Sequence, residues 1–372
     1  MKPTLAQGRR VAVSQLAESP LLGIETNLTL GPQSPPDTIA DGEVLIAVES
    51  AQVGWVDLLM TSGQYQHAPP LPYCPGLEYA GVVVGTGANV SRVREGDRVL
   101  VDGLLSGPRS VGNYQQWGGF ASFALAPEAA VLQVPGALTF DQACNLLGNY
   151  ETAYHCLITR GGLKAGETVL IHGASGATGL AAVAVARRLG ATVIATGRSE
   201  EKLAQVQALG AHHVIACGDA AAAGGVRRFR DEVKLLTGGK GVDVVYDSVG
   251  GEISQESLRA VKFGARFLIV GWASTPLVAN GKGQRGAPNA GQLPTNLVMM
   301  KGLDVLGCPA ALSVLHDPSL REPRRQAVLG WAERGEISPH VSGVYPLDAF
   351  RDAMRAKWNG THVGGVVVHP RG

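Results

Sequence analysis

The chain has 372 residues, 45% hydrophobic and 17% charged, which is apolar material enough for two domains and argues against intrinsic disorder. Its 32 Lys and Arg balance 31 Asp and Glu to a net charge of +1, so no global field draws it to nucleic acid or an anionic membrane. Five scattered cysteines without a C-x-x-C pair argue against a disulfide framework or a thiolate zinc site, and 50 glycines, about twice the usual ~7%, predict many tight turns.

The start, MKPTLAQGRRVAVSQ, lacks an apolar core of signal-peptide type, so a cytoplasmic protein is expected. From Val44 to about Pro135, short β-like runs (VLIAVES, GVVVGTG, DRVLVDG, FASFALAP) are punctuated by Gly, Pro and Asp, which predicts a mainly β domain. Pro69–Pro75 is too proline-dense for a helix or a central strand and reads as an ordered loop. Near Asp141 the pattern changes. The apolar runs TVLIH, TVIAT, HHVIAC, VDVVYD and RFLIVG alternate with helix-forming segments, which implies a parallel sheet covered on both faces. Thr168 to Ala186 is uncharged over the length of a membrane span, but its glycines and His172 suit a strand, a turn and a helix better. A last helix over Leu347–Trp358 precedes the strand GGVVVHP. The fold class expected is α/β, with domain bounds at 1–139, 140–307 and 308–372.

The most informative segment is VLIHGASGATGLAAVAVARRLG. Here Ala174-x-Gly176-x-x-Gly179 follows a strand and opens a helix, the context a dinucleotide-binding turn requires. Gly176 lets backbone approach a pyrophosphate, Gly179 lets the helix pack on the strand, and the helix N-terminus offers free N–H groups. An NAD-binding chain places Asp or Glu about 20 residues further on, to accept from the ribose 2′-OH. This chain has Gly197 there, followed by Arg198, Ser199 and Lys202, which can neutralise a 2′-phosphate; the expected cofactor is NADPH. Between Ala273 and Gln292 runs an irregular stretch in a region of Arg and Lys without an acidic residue, which points to an anionic ligand.

With VGWVDLLMTSGQY (53–65), LPYCPGLEYAGVV (71–83), VREGDRV (93–99), YDSVGG (246–251), LIVGW (268–272) and LPTNLVMMKGLDVLG (293–307), nearly the whole chain resembles the zinc-independent quinone oxidoreductases of the medium-chain dehydrogenase/reductase superfamily, the zeta-crystallin-like branch. The resemblance implies a GroES-like β domain and a Rossmann domain with a doubly wound parallel sheet. At the positions where zinc-dependent relatives carry ligands this chain has Gly54, Leu77 and Gly148 or Asn149; glycine and leucine cannot bind zinc, so no metal is expected. Without that Lewis acid, hydride delivery to an already activated acceptor is the easier chemistry, a quinone or a small α,β-unsaturated carbonyl.

By the same resemblance, Thr152, Gly271 and Trp272 flank the nicotinamide, Ser175, Ala177 and Thr178 line the diphosphate turn, and Asn296 borders the cofactor. The family commonly has Asn where Gly54 stands and Lys near Gly365; this chain departs at both. Tyr65 matches a tyrosine that donates a proton in the family's enoyl-thioester reductases. Trp55 and Tyr73 offer an aromatic wall for a flat substrate. Lys282 and Arg285 motivate an alternative acyl-CoA reductase activity, and a non-catalytic, vesicle-associated NADPH-binding module is the alternative of another class. A homodimer is expected, paired through the edge of the Rossmann sheet, for which GARFLIVGW is the candidate strand.

Overall fold

Chains rich in short apolar runs closed by Gly, Pro and Asp fold as strands joined by tight turns, and the computed structural model follows that rule; it describes residues 6–65, 67–110, 112–218, 226–274 and 291–371. In chain order the strands are β1 (Gly8–Val13), β2 (Leu28–Gln33), β3 (Glu43–Gln52), β4 (Tyr79–Thr86), β5 (Arg98–Val101), β6 (Phe123–Pro127) and β7 (Val131–Gln133). Then come β8 (Thr168–Ile171), β9 (Thr192–Gly197), β10 (His213–Ala216), β11 (Val242–Asp247), β12 (Val261–Ile269) and β13 (Asp304–Gly307), and finally β14 (Val341–Pro346) and β15 (Gly365–His369).

Among the described residues the chain divides into two compact units. One runs to Gly148 and resumes at Ala332; the other takes Asn149 through Trp331. In the first, β14, β15, β3, β4, β5 and β7 are neighbours in that order, with β6 also on β3, and β1 pairs with β2. The edge strand β14 runs parallel to β15, while β15–β3, β3–β4 and β4–β5 are antiparallel. Its core joins Val11, Ile46, Val48, Leu58, Tyr79, Phe120, Phe350 and Val368, drawn from both ends of the chain.

The second unit is a six-stranded, all-parallel sheet in the order β10-β9-β8-β11-β12-β13. Counted along the chain, that is 3-2-1-4-5-6, the doubly wound dinucleotide-binding order, whose switch point lies between β8 and β11. The expected fold class is what is observed, and the sheet has one strand more than the five apolar runs predicted. That strand, β13, is short and almost wholly exposed, so it carries no inward apolar run to read.

Three sequence expectations differ from these observations. The helices Ala310–His316 and Arg321–Glu333 lie mostly in the second unit, not in a segment returning to the first from residue 308. Ion pairs from Arg321 and Arg324 to Glu151 hold the latter there. Residues 140–148 belong to the first unit, where Asn145 packs against Gly365. Finally, β12, which contains most of GARFLIVGW, lies between β11 and β13; the sheet edge is β13.

Candidate functional site

The glycine turn follows β8 as expected. His172 directly follows the strand, Gly173 adopts a left-handed φ of 65°, and Gly176 is the N-cap of helix Ala177–Arg188 without any side-chain cap. The first turn of that helix therefore keeps backbone N–H groups for another acceptor. A Cβ on Gly179 would lie 2.3 Å from the Gly173 carbonyl oxygen, so the helix can cross the turn only because that position is glycine. A Cβ on Gly176 would meet one atom, at 3.4 Å, which is ordinary contact. The protein's own packing does not demand glycine at 176. A backbone held bare at the mouth of a helix fits a phosphate group approaching it.

Several of the expected cofactor residues of the second unit lie on the turn itself or on the elements bonded to it. Ala174 is buried, and its N–H donates to the Thr196 carbonyl at the end of β9 (3.3 Å). Ser175, Ala177 and Thr178 are half-buried, and the Thr178 hydroxyl donates to Asn149 Oδ1 (2.8 Å), on the same helix, Leu147–Tyr154, as Thr152. Gly271 and Trp272 follow β12; the N–H groups of Gly271 and Ala273 donate to the Asp247 and Ser248 carbonyls, and Ser248 Oγ donates to the His172 carbonyl. Three loops at the carboxyl end of the sheet are thus tied together. Asn296 lies on a later helix. It is exposed in the first turn of helix Thr295–Lys301, and no hydrogen bond among the described residues joins it to the glycine turn.

At the end of β9 the side-chain space of Gly197 is restricted: a Cβ would come within 3.1 Å of Leu203 Cδ2. A side chain there would need Leu203 to give by a few tenths of an ångström. Ser199 caps the next helix, its hydroxyl accepting from the Lys202 N–H (3.3 Å), while Glu200 and Glu201 face solvent. Burial and the charge of exposed Arg198 both hold the Lys202 ammonium below its ordinary range, with Glu201 opposing. Two cations are therefore brought together where an anion would relieve them.

Residues that the sequence reading did not single out hold this region in place. His172 is fully buried, its Nδ1 2.7 Å from Thr196 Oγ1 and its Nε2 2.6 Å from Ser257 Oγ. Asp247 accepts from the Val249 and Gly250 N–H groups (2.9 Å each) and from the Ser254 hydroxyl, shaping the turn after β11. The available signal was the position of His172 itself, the last residue before the glycine turn; its partners lie 24 and 85 residues away.

The first unit holds a second group of candidate side chains. Asp57 is buried; its carboxylate accepts from the N–H groups of Gly54 (2.9 Å), Gly76 (2.8 Å) and Leu77 (3.2 Å). Burial nevertheless pushes its carboxyl up to about 6. Half-buried Lys357 is drawn down to about 8 by desolvation, with Asp57 opposing. Trp55 stacks on Trp358 at 5.2 Å with the rings 9° apart. Tyr73, expected on the same aromatic wall, is instead 2% exposed and part of the core, where its backbone bridges to Val13. Half-buried Tyr65 packs against that core near Arg109. Burial disfavours the Arg109 guanidinium, but Glu78, Tyr65 and Asp102 more than offset this; its bond to Glu78 Oε1 is 3.1 Å.

The positions of the relatives' zinc ligands can be placed as well. Gly54 is a helix N-cap, Leu77 is buried in the core, and a Cβ on Gly148 would lie 2.3 Å from Glu78 Oε1, so the Glu78 carboxylate fills that space. No group of three or more His, Cys, Asp or Glu among the described residues could hold a metal ion. Lys282 and Arg285 lie outside the described residues.

A bare phosphate turn at the switch point of a 3-2-1-4-5-6 sheet, in a chain that also builds a separate β unit, defines an oxidoreductase that works with a nicotinamide dinucleotide. Two family models match: an alcohol dehydrogenase GroES-like domain over residues 40–136 and a zinc-binding dehydrogenase over residues 177–313. A quinone oxidoreductase-like protein 2 homolog of Nematostella vectensis is 31% identical, covering 90% of this chain and 84% of its own. The quinone oxidoreductase of Lama guanicoe is 36% identical over 88% of each. The solved quinone oxidoreductase of Thermus thermophilus, whose structures include a complex with NADPH, superimposes with a TM-score of 0.72 at 27% identity, over 97% of this chain and 99% of that one. The chain belongs to the quinone oxidoreductase family of the medium-chain dehydrogenase/reductases.

Proposed function

We propose that the protein is an NADPH-dependent reductase that delivers hydride to a quinone or a small α,β-unsaturated carbonyl without a zinc ion. The observation that carries the cofactor half is the end of β9: Gly197 stands where a ribose-binding carboxylate would, in a tight space beside Leu203, and Arg198 and Lys202 are close enough to repel each other. The bound dinucleotide would supply the hydride. Gly176 and the N–H groups of Ala177–Gly179 would hold its diphosphate, Arg198 and Lys202 its 2′-phosphate, and Thr152 and Gly271–Trp272 would border the nicotinamide. Asn296 is retained only as a residue of the neighbouring segment.

The acceptor half rests on residue type. With Gly54, Leu77 and Gly148 or Asn149 at the ligand positions, the chain lacks the relatives' zinc-ligand set, which favours an acceptor already activated by conjugation. Trp55, stacked on Trp358, is the proposed platform for a flat acceptor, and the Tyr65 phenol the proposed proton donor. The protein is proposed to act in the cytoplasm as a homodimer joined along β13. That edge strand carries Val305 and is accompanied by exposed Phe263, Met299 and Met300, an apolar surface a second copy would cover.

The test is oxidation of NADPH and NADH, followed by absorbance, against benzoquinone, phenanthrenequinone, an alkenal and crotonyl-CoA, with and without EDTA. The expected result is turnover with NADPH well above NADH, unaffected by the chelator. Equal use of NADH would overturn the reading of β9. Preference for crotonyl-CoA would favour the acyl-CoA reductase, and tight NADPH binding without turnover on any acceptor a binding module.

A further inference from the structure

We propose that His172 is a positioning residue for the dinucleotide, bridging the phosphate turn and the end of β9 so that one rigid ligand can engage both. The inference rests on the NADPH reading above and assigns a task to a residue outside the nucleotide-contacting set.

Hydrogen-bond bookkeeping defines the state of the imidazole. Ser257 Oγ donates its one proton to the Ile253 carbonyl (2.7 Å), so toward His172 Nε2, at 2.6 Å, it can only accept. Nε2 therefore carries a hydrogen. In the neutral ring Nδ1 is then a bare acceptor, and the Thr196 hydroxyl at 2.7 Å donates to it. Every group in the chain Thr196–His172–Ser257–Ile253 is satisfied with one proton on the ring. Burial favours that same neutral form, against the pull of Asp247.

The bridge joins the parts that a dinucleotide must contact at once. His172 precedes Gly173 directly. Its backbone N–H donates to the Tyr246 carbonyl (3.0 Å), and its carbonyl accepts from Ser248 Oγ (3.2 Å). Thr196 stands two residues before Arg198, and its carbonyl accepts from Ala174. Ser257 lies on helix Glu252–Ala260, which follows the β11 turn. If the Thr196–His172 bond is lost, the glycine turn and the Arg198–Lys202 turn can shift relative to each other. A ligand bound through both its diphosphate and a 2′-phosphate is sensitive to that shift. One bound mainly through its diphosphate is not.

The experiment uses the full chain and direct fluorescence titration with NADPH and NADH, so no catalytic turnover is needed. Thr196→Val keeps the side-chain shape and removes the donor; it is expected to weaken NADPH about tenfold, the worth of one buried hydrogen bond, and NADH less than about twofold. Thr196→Ser restores the hydroxyl and should restore NADPH affinity. Ser257→Ala removes the bridge from its other end and is read by the same ratio. Equal weakening of both cofactors, or no change in either variant, overturns the proposal and leaves the cofactor assignment standing. Failure of the unaltered protein to bind either cofactor removes the NADPH reading and the proposal with it. A third measurement needs no variant: the imidazole ¹⁵N shifts of His172 should report a protonated Nε2 and a bare Nδ1, and the opposite tautomer would overturn the bridge.

Discussion

Gly176 and Gly179, three residues apart, answer to different demands. Gly179 is required by the fold, because any side chain there meets the Gly173 carbonyl; Gly176 has room for a methyl group. Gly179→Ala should therefore cost several kcal/mol, as overpacking against backbone does, and lower the melting temperature sharply. Gly176→Ala should melt with the parent protein and yet bind NADPH at least about tenfold more weakly, since the methyl occupies the phosphate's approach. Differential scanning fluorimetry with and without cofactor separates the two. Asp57 gives a pH prediction of definite sign. Its carboxyl is raised from 3.8 to about 6 in the fold, so the folded state holds that proton more tightly than the unfolded chain. This contribution to stability is full below about pH 4 and lost as pH rises through about 6. The stability of the parent protein minus that of Asp57→Asn, from urea unfolding, should fall across that window and then level off. At this scale the glycine turn and the basic end of β9 were readable from spacing alone. His172 was not, because its meaning lies in partners distant in sequence, and Tyr73 misled because an aromatic beside proline looks the same whether it faces a substrate or the core.

The strands β8, β9 and β11, with continuous apolar runs, were placed by pattern because both faces of a central strand are buried. The edge strand β13 and the helix Arg321–Glu333 escaped for the complementary reason: one is exposed, and the other is anchored by charge. Glu151, on helix Leu147–Tyr154, accepts from Arg324 Nε (2.9 Å) and from Arg321 (3.2 Å), with all three side chains nearly inaccessible. Trp331 further along that helix lies under the Arg188 guanidinium, 4.5 Å from the ring centroid. The buried face of that helix opens with Arg321 and Arg324 before Val328 and Trp331, so its first half reads as a solvated surface, which is why the expected boundary fell too early. It also predicts fragility. Glu151→Gln strands two buried guanidinium groups and should destabilise the protein by about 3–5 kcal/mol in urea, far more than loss of an exposed pair such as Arg334–Glu336.

For the molecule as a whole, the proposed pairing along β13 gives a further expectation. Val305→Lys, at the edge of the sheet, should convert a dimer into a monomer in light scattering while leaving the NADPH affinity unchanged; a monomeric parent protein would refute the pairing. No helix among the described residues is long and apolar enough to cross a membrane, so this apolar surface belongs to no spanning segment of that kind. The overall architecture was legible early, since glycine-punctuated β runs and alternating strand–helix cycles announce different units. What the linear reading could not supply was which late segments close the first one.

That closure has a consequence for how the protein is born. The strand β15 completes the sheet beside β3, Val367 opposite Gln52 and Val368 opposite Ala51. About 300 residues separate the partners, so at about 5–20 residues per second β3 leaves the ribosome some tens of seconds before β15 exists. Through that interval the nascent chain presents an unfinished sheet edge, while the middle unit, contiguous in sequence, can already condense. The first unit can close only after β15 has been made. Ribosome-associated chaperones should accordingly bind ahead of β15, and a chain stalled before Gly365 should be retained by them rather than released.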